Sequence, residues 1–132
     1  MKFIEAYKRL EKLCGEILGD EGRISAYIEE MKNIPDGSYY VSTWNEDLKK
    51  LKHYRWLRNK IVHDTDSTEA NMCNQADVKW INDFYSRILN ETDPLALYRK
   101  ERRSGNVSFG VILAIVVAVI IAILVWIFLQ VI

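Results

Sequence analysis

Leu57-Arg58-Asn59-Lys60-Ile61-Val62-His63-Asp64 closes a basic run that begins at Thr43, and the reading of that run decides the fold. Within it, Trp44, Leu48, Leu51, Tyr54, Leu57 and Ile61 recur at steps of three and four, the spacing that gathers side chains on one face of an α-helix. Lys49, Lys50, Lys52, Arg55 and Lys60 lie largely around that stripe. Thr43-Trp44-Asn45-Glu46 has the pattern of a capping box, with a threonine hydroxyl for the backbone at Glu46 and a carboxylate reaching back. A long amphipathic helix ending at an arginine, an amide and one of the chain's two histidines is therefore predicted.

Working outward, the rest of the chain is helical in pattern too. Phe3, Tyr7, Leu10, Cys14 and Ile17, widened by Leu13 and Leu18, predict a helix over 2–18. Gly19 and Gly22 interrupt it, and Ile24, Tyr27, Ile28 and Met31 begin a shorter one that stops before the turn Pro35-Asp36-Gly37. Tyr39-Tyr40-Val41 reads as loop, and so does the polar, aperiodic segment 65–74. From Gln75, the spacing of Val78, Ile81, Phe84, Tyr85 and Ile88 gives a fourth helix. Asp93-Pro94 predicts the start of a short fifth, with the acid as N-cap and proline at the first helical position. The fold class expected is all-α, a small helical bundle.

Phe109 to Leu129 contains no charged residue over 21 positions, and at about 1.5 Å per residue it spans a hydrocarbon core of roughly 30 Å. This predicts a single C-terminal transmembrane helix, giving a helical domain over 1–103, a juxtamembrane linker over 104–108 and a span over 109–129. Arg99, Lys100, Arg102 and Arg103 precede the span, so the positive-inside rule puts the N-terminal domain in the cytoplasm of a single-pass, tail-anchored inner-membrane protein. Gly110, Ala114, Ala118 and Ala122 recur every four residues among Val, Ile and Leu, a small-residue stripe on which helices can pack closely as a homodimer or higher oligomer. The span carries no ionisable group to line an ion pathway, so it reads as an anchor and assembly device.

The zero formal net charge is a sum of uneven blocks. Residues 44–63 hold six basic and two acidic side chains, residues 64–98 two and seven, and residues 99–103 four and one. Basic charge is thus concentrated in the motif helix and just before the span. Cys14 and Cys73 stand far apart with no metal-ligand spacing, and no secretory signal pattern opens the chain, so a reducing compartment is expected. No metal and no cofactor is called for; His53 is ten residues from His63, and a zinc site would need further ligands that the sequence does not offer.

The chemistry available at the end of the motif helix suits RNA cleavage. An imidazole that titrates near neutrality can take the proton of a ribose 2′-hydroxyl or give one to the leaving oxygen. The guanidinium of Arg58 suits a phosphate that gains negative charge in the transition state. Asn59 can orient either, and Lys52, Arg55 and Lys60 would draw in the RNA backbone. At 100° per residue, however, Arg58 and His63 lie about 140° apart, so an ideal helix does not bring them together. Twofold pairing of two such helices would. Read from residues alone, a last-turn histidine that meets the negative end of the helix dipole, an effect of about 0.3–1 kcal/mol, is the simpler account of His63.

The motif Leu57-Arg58-Asn59-Lys60-Ile61-Val62-His63, at the end of a long helix in an all-helical chain, resembles that of the HEPN superfamily, over roughly residues 1–100. The resemblance implies a helical bundle that dimerises through the motif helices and shares a metal-independent ribonuclease site, with Arg58, Asn59 and His63 as the functional positions. Such proteins are frequent in toxin–antitoxin, CRISPR and antiphage systems, which makes an antitoxin or a CRISPR or defence component the expected partner. Some toxins of this type carry a nucleotide-accepting tyrosine two residues past the histidine; here that position is Thr65. A membrane span is not a standard part of the fold, although small membrane HEPN-like proteins accompany some RNA-targeting CRISPR systems. The other function expected is a noncatalytic membrane effector that oligomerises and permeabilises or depolarises the bilayer.

Overall fold

A computed structural model describes residues 2–19 and 22–132, without the side chains of residues 104–109. Among the described residues there are seven helices and no strand: α1 (Lys2–Leu18), α2 (Ile24–Lys32), α3 (Gly37–Tyr40), α4 (Trp44–His63), α5 (Glu69–Met72), α6 (Gln75–Leu89) and α7 (Pro94–Val131). The chain divides into two compact units, Met1–Tyr98 and Arg99–Ile132.

In the first unit α1 packs on α6 and α2, and α2 packs on α4. Their apolar stripes meet in one core that contains Phe3, Tyr7, Leu10, Ile24, Tyr27, Ile28, Leu51, Tyr54, Ile81 and Phe84, with Leu95 and Tyr98 from the start of α7. Ile17, expected in the α1 stripe, is 49% exposed; Leu13, Cys14 and Leu18 carry the inward arc of that last turn instead. Leu48 and Ile61 of the α4 stripe are half-buried against the core.

Three polar pairings join the helices through the interior. Arg87 of α6 binds Asp47 of α4 bidentately, at 2.9 and 2.6 Å, with the Asp47 side chain only 4% exposed. The Tyr27 hydroxyl donates to Asp93 at 2.5 Å and accepts from the backbone N–H of Leu95 at 3.2 Å, so a tyrosine from α2 holds the first turn of α7. Burial, and then the neighbouring Asp93 charge, push the Tyr27 hydroxyl far above its ordinary range. Tyr54 of α4 donates to Asp77 of α6 at 3.0 Å.

Four local expectations are corrected. Thr43 precedes α4 but does not cap it: its backbone is not in the extended region a capping hydroxyl needs, and no side-chain capping bond forms. Its hydroxyl lies 3.5 Å from Arg87 Nη2 instead. The capping boxes that do form are Thr68 with Asn71, opening α5, and Asn74 with Asp77, opening α6. Segment 65–74, read as loop, therefore holds a four-residue helix. Its end is tied down at a distance, because Glu69 accepts from the backbone N–H of Ile4 at 3.0 Å and satisfies an orphan donor of α1. Tyr39 and Tyr40, also read as loop, lie in α3, whose first residue, Gly37, has to be glycine because a side chain there would run into the Trp44 ring.

The fifth helix is not short. α7 starts at Pro94, as the sequence predicts, but remains helical to Val131, through the residues read as linker. The linker side chains, and that of Phe109 at the expected start of the span, lie outside the described residues. Gly110–Val131 is a 22-residue helical stretch with a mean hydropathy of 3.5 over its most apolar 18 residues and no buried side chain, long and apolar enough to cross a membrane.

Candidate functional site

α4 is helical without interruption from Trp44 to His63, so its side chains divide by angle into two faces. Trp44, Asp47, Leu51, Tyr54 and Leu57 form the inner face and are buried. Arg58 shares that side and is half-buried. Its Nη1 donates to Asn59 Oδ1 at 3.1 Å, and its Nε is buried without a hydrogen-bond partner among the described residues. Arg58 also acts on Tyr7 of α1. Burial and the Glu11 charge push that hydroxyl far above its usual range, against an opposing pull from Arg58 and Arg55.

The outer face is different in kind. Lys49, Lys52, His53, Trp56, Asn59 and His63 are all exposed, and Lys60 is half-buried beside them. Measured from Trp56 at 100° per residue, all seven fall within about 60° on either side. Trp56 is 53% exposed. The His53 ring stacks near it with centroids 5.9 Å apart and planes 29° apart, and Lys60 Nζ stands 5.8 Å from its centroid. Lys60 also pairs with Asp64 at 3.4 Å, an i,i+4 contact over the last turn. Asp64 is held below the usual carboxylate range first by the backbone N–H of Asp66 and then by Lys60. A shallow cavity of about 310 Å³ lies one turn back, lined by Glu46, Lys49, Lys50 and His53.

The residues expected to act together are thus only partly joined. Arg58 and Asn59 are in contact, whereas His63 lies about 140° from Arg58, and no hydrogen bond or ion pair connects it to either among the described residues. Lys52 and Lys60 share the face of His63, but Arg55 turns to α2, where its Nη1 donates to Ser25 Oγ at 3.3 Å. Gly110, Ala114, Ala118 and Ala122 are exposed on the second unit's helix, and a side chain added at Gly110 meets open space. His53 and Trp56 are the members of the outer face that the sequence reading passed over. Steps of three, four and seven from Lys49 through Trp56 to His63 are the signal that finds them.

Burial pushes the Cys14 thiol up to about 12 and the Cys73 thiol up to about 11, so neither is a thiolate near neutral pH. Among the described residues no three His, Cys, Asp or Glu side chains are grouped to hold a metal ion.

Residues 1–110 match the model of a family described as a family of unknown function, DUF6548, and the chain belongs to that family. No curated protein and no solved structure matches it.

Proposed function

We propose that this DUF6548 member is a membrane-anchored, metal-independent endoribonuclease of HEPN type, serving as a toxin or as an antiphage or CRISPR-associated defence effector. The observation that supports this reading is the company His63 keeps: an exposed imidazole that shares one helix face with an exposed tryptophan and with Lys49, Lys52 and Lys60. Lysines neutralise phosphates, and an aromatic ring accepts a base, so the face has the chemistry of an RNA surface with a proton-transfer group inside it.

In this reading His63 takes the 2′-hydroxyl proton while the 2′-oxygen attacks phosphorus. The bond from phosphorus to the 5′-oxygen breaks, leaving a 2′,3′-cyclic phosphate, and the departing 5′-oxygen takes a proton from water to become a hydroxyl. Arg58 lies about 140° from His63 around the same helix, so in this reading the guanidinium that stabilises the phosphate is supplied by a second copy whose α4 lies against the first. The four basic residues Arg99, Lys100, Arg102 and Arg103 would hold the domain on the cytoplasmic side. Full-length protein incubated with RNA in EDTA is expected to leave cyclic-phosphate ends, and His63→Ala to slow cleavage by about 10²–10⁴-fold. Absence of cleavage, or cleavage unchanged in His63→Ala, overturns the reading.

The inward placement of Arg58, with Nη1 on Asn59, favours one alternative, a noncatalytic effector whose helices assemble and depolarise the membrane. In that case expression collapses the membrane potential while RNA stays whole, and Ala118→Phe, on the small-residue stripe, abolishes the effect.

A further inference from the structure

Trp56 makes no contribution to the core: it belongs neither to the buried cluster nor to the half-buried side chains packed against it. Tryptophan is highly buried on average, so one left 53% exposed among lysines needs another reason to be there. Its neighbours supply one. His53 stacks beside it at 5.9 Å, Lys60 Nζ stands 5.8 Å from the ring, and Lys49 and His63 lie two turns away on either side, each about 10 Å along the axis and within about 20° in angle. Among the described residues, Glu46 stands at the edge of this face, and a second nearby acid, Asp64, is engaged by Lys60.

We infer that Trp56 is a base-binding subsite: an unpaired RNA base stacks on its indole and sets which phosphodiester reaches His63. This inference rests on the ribonuclease reading of the same face and names the residue that selects the bond. Lys49, Lys52 and Lys60 attract the backbone but bind every phosphate alike, so they cannot register the strand. An indole held on a rigid helix can, because a base seated there fixes the distance from its own phosphate to His63. Lys60, beside the ring and one turn before His63, is placed to receive the phosphate of the seated nucleotide. A base paired within a duplex cannot offer its face to the ring.

The test measures binding of full-length protein in detergent micelles to fluorescein-labelled 2′-O-methyl oligonucleotides, which cannot be cleaved through the 2′-oxygen. One oligonucleotide is fully base-bearing, and the other has the same length and charge but is abasic. Trp56→Ala is expected to weaken binding of the base-bearing strand roughly tenfold and leave the abasic strand unchanged, with Trp56→Phe retaining most of the affinity. Equal loss for both strands, no loss for either, or a dimer that becomes a monomer with RNA affinity intact overturns the subsite. The last result would give the face to a second copy of the chain. A base-dependent loss without any cleavage of ordinary RNA in EDTA removes the nuclease reading and leaves the subsite standing. His63-dependent cleavage with Trp56-independent binding does the reverse.

Discussion

The two faces of α4 are built from one stretch of twenty residues, yet they follow opposite rules. The inner face carries Asp47, Leu51, Tyr54 and Leu57, each buried and each polar atom matched to a partner on another helix. The outer face carries His53, Trp56, Asn59 and His63, exposed and, among the described residues, tied to near neighbours along the same helix. Arg58 belongs by sequence to the motif and by position to the inner face. The lesson is that a motif read as a unit in sequence can be divided by the helix that carries it.

That division can be broken from the inside first. Arg87→Ala leaves Asp47 buried without its cation, and thermal unfolding in detergent should show a loss of about 3–5 kcal/mol. Gly37→Ala drives a methyl group into Trp44, the first residue of the inner face, and should cost about 1–3 kcal/mol in the same experiment, with Gly37→Ser no better. On the outer face His63→Ala and Trp56→Ala should leave stability within about 0.5 kcal/mol while cleavage and binding fall. Loss of folding in either would erase the distinction between the faces.

The smallest effect concerns pH. Burial alone would raise the Glu69 carboxyl, but the positive charge of the N-terminus and the backbone N–H groups of Ile4 and Phe3 together outweigh burial and hold it below its usual range. Its contribution is therefore complete above the unfolded-state value of about 4.3 and is lost as pH falls through the lower folded-state value. The protection factor of the Ile4 amide, its exchange relative to an unprotected amide at the same pH, should fall below that range in the native protein, and Glu69→Gln should remove the pH dependence. An Ile4 amide indifferent to acid would contradict this account of the α1 cap.

The long helices were readable because their apolar residues keep a 3.6 period over several turns: α1, α2, α4 and α6 all begin or end within a residue or two of where the pattern puts them. The charge-free run was equally plain, since length and hydropathy alone define a span. What pattern missed was polar and local. α3 and α5 are four residues each, too short to show a period, and α5 depends on an Asn71 amide standing where a capping box usually has Glu or Gln. Thr43 carried the familiar signature and did not cap, because its backbone is not extended, and its hydroxyl lies near Arg87, 44 residues away. The pairing of Asp47 with Arg87 has no sequence signal at all, as it joins two helices forty residues apart. For the site, helical angles alone already separated Arg58 from His63, but the grouping of His53 and Trp56 with His63 emerged only when the outward face was traced as a whole.

The central claim is that a working site takes Arg58 from one copy and His63 from another. Arg58→Ala and His63→Ala protein, each inactive alone, should be mixed in detergent, allowed to exchange, and assayed for RNA cleavage in EDTA. A twofold shared site predicts recovery of roughly a quarter of native activity, because half of the dimers are mixed and each of those rebuilds one of two sites. No recovery from two folded, exchanging variants, or full activity of either alone, would contradict it.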